Sequence, residues 1–266
     1  MRKLLSALII VIILSLNILP INATVTAVVD SEKIGLGVVA VSYNSDVKLK
    51  VTVEKSGKRV TYDLRNDGTA EYYPLQFGEG EYKVSVLENI SGTKYKYVQS
   101  QTINLDLDDV NKVYLASVQN INWNEEMNAI KKAKELTKGM KTDKEKVKAV
   151  YQYIVSNISY DYDKLKTLDN AYLPNIDETL EKRKGICYDY SSTFAAMLRS
   201  LGIPAKLVKG YSTSTGSVYH AWNEVYMSDT GKWIIVDTTY DSQMKSAKKK
   251  YTMEKSAKNF SKVYEY

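Results

Sequence analysis

The stretch Lys184-Gly185-Ile186-Cys187-Tyr188-Asp189-Tyr190-Ser191 decides how this chain is read. It holds the single cysteine of a 266-residue sequence that also has a single histidine. From Tyr188 to Leu201 the spacing is helical, with Tyr190, Phe194, Met197, Leu198 and Leu201 on one face, and Gly202 and Pro204 closing the helix. Gly185 is expected to let the backbone turn sharply into it. Cys187 then stands at a helix N-terminus, where unpaired N–H groups and the positive end of the dipole favour thiolate over thiol. The same N–H groups suit a developing oxyanion. Asp189 opposes that field, and its plain role is a first-turn acid that stabilises the helix.

Working outward, the histidine lies in Val218-Tyr219-His220-Ala221-Trp222-Asn223-Glu224-Val225, which reads as a strand. Ser228-Asp229-Thr230-Gly231 is a turn, and Lys232–Tyr240 reads as the returning strand, with Asp237 inside Trp233-Ile234-Ile235-Val236-Asp237-Thr238-Thr239-Tyr240. Pairing Met227 with Lys232 puts Trp222 opposite Asp237, so His220 and Asp237 share a face as diagonal neighbours, about 7–8 Å apart at Cα. Asp237 would hold one imidazole nitrogen and leave the other for Cys187. A register error of one residue would separate the pair. Taken singly, Cys187 also reads as a buried small hydrophobe, His220 as a satisfied strand histidine and Asp237 as an acid capping a turn.

Composition narrows the choices. The chain is 44% hydrophobic and 26% charged, ordinary for a folded protein with a core. A net charge of +6, or +4 once Arg2 and Lys3 are set aside, is too weak and dispersed for nucleic-acid binding. It suits a mild attraction to anionic polymers. One Cys and one His cannot complete a zinc tetrahedron without unusual carboxylate help, and there is no calcium-loop pattern, so neither metal nor cofactor is expected. Residues 1–23 read as a secretory signal: Arg2-Lys3, an apolar run from Leu4 to Leu19, then Pro20 and small-residue cleavage sites. An uncleaved anchor is the alternative, and no other segment is expected to meet a membrane. In an oxidising compartment a lone cysteine forms no intrachain disulfide; it pairs between molecules, stays inert or reacts.

Residues 24–115 alternate in short strands, among them Val38–Tyr43, Lys48–Val53, Arg59–Leu64, Glu81–Leu87 and Lys94–Val98, separated by glycine-rich turns. This predicts an antiparallel β-sandwich, and Gly80-Glu81-Tyr82-Lys83-Val84-Ser85-Val86 resembles a late strand of immunoglobulin-like modules. A linker is expected over 116–123 and an α+β domain over 124–266. There Thr142-Asp143-Lys144-Glu145 is a capping box, and Val147, Val150, Tyr151, Ile154, Val155 and Ile158 form one stripe behind it. The Lys248-Lys249-Lys250 run reads as a solvated tail.

Gly185-Ile186-Cys187-Tyr188-Asp189-Tyr190-Ser191, Leu201-Gly202-Ile203-Pro204-Ala205, His220-Ala221-Trp222-Asn223-Glu224-Val225 and Trp233-Ile234-Ile235-Val236-Asp237-Thr238-Thr239 resemble, in order and spacing, the transglutaminase-like superfamily and its exported bacterial members. The resemblance covers about residues 142–242. It implies a papain-like core with the cysteine helix packed on an antiparallel sheet, and Cys187, His220 and Asp237 as a catalytic triad. Tyr160, in the family-like Ile158-Ser159-Tyr160-Asp161-Tyr162, is a candidate for lining the substrate cleft with Tyr188 and Trp222; core packing is the competing role for Tyr160. The expected activity is thiol-dependent acyl transfer on peptide or protein amides, with envelope material the natural partner of an exported chain. Amine and water both remain open as acceptors. The competing reading is a non-enzymatic adhesion or wall-binding protein, in which the β-domain binds and the core is a scaffold.

Overall fold

The computed structural model describes residues 26–169 and 171–266; the signal-peptide expectation for residues 1–23 lies outside them. Among the described residues the N-terminal unit has seven strands: β1 (Val28–Asp30), β2 (Val38–Ser42), β3 (Leu49–Lys55), β4 (Lys58–Leu64), β5 (Glu71–Pro74), β6 (Gly80–Ser91) and β7 (Lys94–Leu105). They form two antiparallel sheets, β1-β2-β5 and β4-β3-β6-β7. Alternation sets the faces: Val51 and Val53 on β3, Val60 and Tyr62 on β4, and Tyr82, Val84 and Val86 on β6 are buried, together with Val39, Val41 and Tyr73 of the smaller sheet. The Tyr82 hydroxyl lies 2.7–2.8 Å from the Phe77 N–H and from the carbonyls of Leu75 and Gly78, which ties the turn before β6 to its first strand residues. Sequence alternation did not mark β5, whose closing Pro74 weakens a strand reading. Nor did it follow β7 beyond Val98, where half-exposed polar residues blur the period.

The segment 116–123 joins the two units and is partly buried, with Val118, Asn120 and Ile121 at most 5% exposed. Ser192 Oγ donates to the Asn120 carbonyl at 2.9 Å and Arg199 Nη1 to the Ala116 carbonyl at 2.6 Å, so the connection is fastened along the cysteine helix. Gln76 Nε2 donates to the Glu265 carbonyl and Tyr114 O–H to the Glu265 carboxylate, fixing the sandwich to the end of the chain.

The second unit runs α1 (Asn128–Leu136), α2 (Asp143–Asn157), β8 (Ser159–Tyr160), α3 (Tyr162–Lys166), α4 (Ile176–Lys182), β9 (Lys184–Gly185), α5 (Cys187–Arg199), β10 (Ala205–Ser212), β11 (Val218–Met227), β12 (Lys232–Val236), α6 (Thr238–Ser246), β13 (Glu254–Lys255) and β14 (Phe260–Glu265). Its antiparallel sheet has the order β13-β12-β11-β10-β14. The mixed α+β architecture, helices against an antiparallel sheet, is the expected fold class. The Thr142 box forms, with Thr142 Oγ1 accepting from the Glu145 N–H and the Glu145 carboxylate from the Thr142 N–H. Behind it Val147, Val150, Tyr151, Ile154 and Val155 are buried.

Helix α5 departs from the one-faced helix of the sequence pattern. Every residue from Tyr188 to Arg199 is buried, because α1, α2, α4 and α6, the sheet and the 116–123 segment surround it. Beyond the Lys248 run the chain does not trail into solvent: β14 pairs with β10, and Tyr266 is only 7% exposed.

Candidate active site

Cys187 is the first residue of α5 and is partly exposed. The N–H groups of the first turn have no carbonyl four residues back within the helix, so they remain available beside the sulfur. The Ile186 N–H, just before them, is taken by the Asp189 carboxylate at 2.8 Å. Asp189 is fully buried; Lys164 Nζ lies 3.0 Å from it and the Tyr172 hydroxyl donates to it. It therefore fixes the helix start, and Lys164 offsets the charge that would oppose a thiolate.

Gly185 corrects the expected reason for a glycine. The left-handed turn before α5 is made by Arg183, at φ 49°, and Gly185 itself has no positive φ. Gly185 is required because a Cβ there would lie 2.7 Å from Asp189 Cβ. The Asp161 N–H also bonds its carbonyl at 2.9 Å, which draws the β8 segment against the helix start.

The hairpin has the register read from the turn, with Met227 opposite Lys232 and Asn223 opposite Val236. The second strand stops at Val236, short of the expected Tyr240. Asp237 is the N-cap of α6: its Oδ1 accepts from the Tyr240 N–H at 2.9 Å, and a side chain that caps a helix ends the strand before it. Its Oδ2 lies 2.9 Å from His220 Nε2. One buried carboxylate thus performs both roles that the sequence left open, the cap and the histidine partner.

His220 is 7% exposed. Burial works against its charged form, but the Asp237 charge and hydrogen bond, joined by Cys187, outweigh it and raise the imidazole to about 10. With Nε2 held by Asp237, Nδ1 is the nitrogen left for the thiol. Asn223, which the sequence reading passed over, donates to the Ser191 and Lys206 carbonyls at 2.9 and 3.0 Å and so pins the histidine strand to the cysteine helix.

The three expected lining residues separate. Tyr160 is half-buried on β8, edge-on to Tyr162 at 4.8 Å between ring centroids; burial and then the Cys187 charge push its phenol up to about 12, so it stays a donor. Tyr188 is 8% exposed, accepts from Asn120 Nδ2 at 2.5 Å, and has Lys209 Nζ 3.5 Å from its ring centroid. Trp222 does not line an open cleft: it is 1% exposed, packed on Phe260 and nearly parallel to His220. It supports the imidazole from behind, because the indole shares the histidine's side of the strand. Lys209 was not legible as a site residue, since a lysine within an alternating strand normally points to solvent.

The transglutaminase-like superfamily model matches residues 130–238. Over these residues the chain is similar to that superfamily. Uncharacterized protein YebA of Bacillus subtilis is 34% identical over 116 residues, 36% of this chain and 15% of the relative. Human kyphoscoliosis peptidase is 33% identical over 111 residues, 38% of this chain and 16% of the relative. A protein-glutamine gamma-glutamyltransferase of Pseudomonas aeruginosa is 35% identical over 75 residues, 24% of this chain and 11% of the relative. The chain thus spans about a sixth or less of the length of these relatives.

Proposed function

We propose that the protein catalyses thiol-dependent acyl transfer on peptide or protein amides. The observation that carries this is the His220–Asp237 contact at 2.9 Å beside a cysteine at the start of α5, with the imidazole raised to about 10. A ring that basic takes the thiol proton and holds it as imidazolium. The Cys187 thiolate attacks the amide carbonyl, and the first-turn N–H groups of α5 face the oxyanion. Collapse of the intermediate breaks the C–N bond, and the imidazolium gives its proton to the departing amine or ammonia. The thioester is then resolved by an amine, forming a new amide, or by water, forming an acid. A peptidase and a gamma-glutamyltransferase among the relatives support both outcomes.

Export, an envelope substrate and an immunoglobulin-like N-terminal module belong to the same proposal. Residues 1–23 support export by sequence, and the three-plus-four strand arrangement with its Tyr82 tie supports the module assignment. The test is to incubate the protein with casein and dansylcadaverine, following ammonia release, label incorporation and new N-termini together. Label marks amine transfer, ammonia alone marks deamidation and new N-termini mark proteolysis. All three signals must vanish in Cys187→Ala; any that persists there does not come from this thiol.

A further inference from the structure

The junction of the two units holds a cavity of about 160 Å³ one residue away from the cysteine. It is lined by Tyr62 and Asp63 of β4, by Asn120 and Tyr172, and by Tyr188, Lys209 and Tyr266. Lys209 is its unusual member. It extends from β10 across the Tyr188 ring at 3.5 Å and lies 5.4 Å from the Tyr266 ring, partly buried, and among the described residues it has no carboxylate within ion-pair distance. The residues outside the described set contain no acid that could supply one. Asp63, the acid in the wall, is engaged by Lys50 Nζ at 2.6 Å. Burial lowers Lys209 to about 8, the direction expected of an ammonium whose solvation is not replaced by an anion, and the Cys187 charge acts to restore it.

The cavity wall carries a second unmatched group. Asn120 and Tyr188 bond each other at 2.5 Å, both buried, and Asn120 Oδ1 has no partner. Whichever way round the Asn120 amide sits, at least one donor hydrogen stays unmatched: the Tyr188 O–H in one orientation, the amide N–H hydrogens in the other. Buried donors normally find acceptors. An ammonium without a counter-ion and an adjacent donor without an acceptor call for the same ligand chemistry, a carboxylate.

We propose that this cavity is an anion subsite that holds a substrate carboxylate beside the amide attacked by Cys187, with Lys209 as its specificity residue. This rests on the thiol reading above and deepens it: the preferred substrates carry a free α-carboxylate or an acidic side chain close to the reacting amide. The group would be clamped between sandwich and core, so Tyr62 of the N-terminal unit contributes to selection.

The test uses the full chain with Cys187→Ser, so that binding is read without turnover. Calorimetric titration compares acetyl-glutaminyl-glycine bearing its free carboxylate with the same peptide amidated at the C-terminus. The acid should bind at least about tenfold more tightly, a difference of about 1.4 kcal/mol. Adding Lys209→Gln should erase the preference, and Lys209→Arg should keep most of it. Equal binding of acid and amide, or binding of neither, overturns the subsite without needing any Lys209 variant to fold. A preference unchanged in Lys209→Gln assigns that lysine to packing on Tyr188 and also overturns the proposal. Failure of the thiol reading would appear elsewhere, as native protein whose Cys187 reacts with iodoacetamide no faster than an ordinary cysteine.

Discussion

Replacing Asp237 by Asn removes one charge and almost no volume, so its effects can be traced atom by atom. The Oδ1 cap on the Tyr240 N–H can be kept by the Asn carbonyl, so α6 still starts at Thr238. The atom facing His220 Nε2 at 2.9 Å then becomes an amide N–H, a donor where an acceptor stood. Nε2 must accept, which moves the ring hydrogen to Nδ1, the nitrogen that has to take the thiol proton. The imidazole that Asp237 and Cys187 raise from 6.5 to about 10 also loses its strongest support, while burial still opposes its charge. A change of that size corresponds to ~5 kcal/mol favouring the imidazolium, at ~1.4 kcal/mol for each tenfold. At neutral pH the thiolate–imidazolium pair should therefore become at least ~10³-fold rarer, in line with the ~10⁴-fold loss known for the same change in a serine triad. The assay is iodoacetamide alkylation of Cys187 by intact mass at pH 6 to 7, with thermal melts on the same samples. The variant should melt within a few degrees of the parent and alkylate at least ~10-fold more slowly, background thiol reactivity setting the floor. Equal alkylation rates in two folded proteins would refute the inference that the buried carboxylate activates this cysteine through His220.

Three further outcomes are expected. Because the folded imidazole is raised above its ordinary 6.5, its stabilising contribution is complete below about 6.5 and is lost as pH rises through about 10; denaturant unfolding between pH 6 and 10 should show this decline, and Asp237→Asn should flatten it. The same proton is the one given to the leaving group, so kcat/KM on any accepted amide should fall with a basic limb near pH 10; activity undiminished at pH 11 would exclude the imidazolium as the acid. Gly185→Ala drives a Cβ to 2.7 Å from Asp189 Cβ and should cost about 1–3 kcal/mol of stability along with Cys187 reactivity, whereas Thr142→Ala should cost about 1 kcal/mol through its lost cap and leave reactivity unchanged; if the two variants behave alike, the tight contact at the helix start has no special connection to the thiol.

How much was legible beforehand depends on how local the cause was. The Thr142 box, the alternation of β4 and the 228–231 turn are set by residues a few positions apart, so the chain announces them. The turn fixes the hairpin register, and the register fixes the meeting of His220 and Asp237. That Asp237 also ends its strand was hidden because a carboxylate's two oxygens can serve two masters only when helix and strand converge. Strand β14 was hidden for a related reason: its alternating residues are mostly exposed, and its place comes from Gly210, where a Cβ would lie 2.1 Å from the Ser261 carbonyl.

The sequence by itself determined the order of Cys187, His220 and Asp237, the helix start at the cysteine, the hairpin register and the run of strands that precedes the first α-helix. These come from spacing, caps and turns, which act within a few residues. Tertiary structure alone decided what surrounds those groups. Asp189 was matched with Lys164 and Tyr172, Trp222 was sealed behind the histidine, and Asn223 was turned onto the cysteine helix. Lys209 was brought against Tyr188 and a cavity shared with the N-terminal unit. Burial, charge pairing and shape at a site depend on side chains drawn from across the chain, and only the folded packing brings them together.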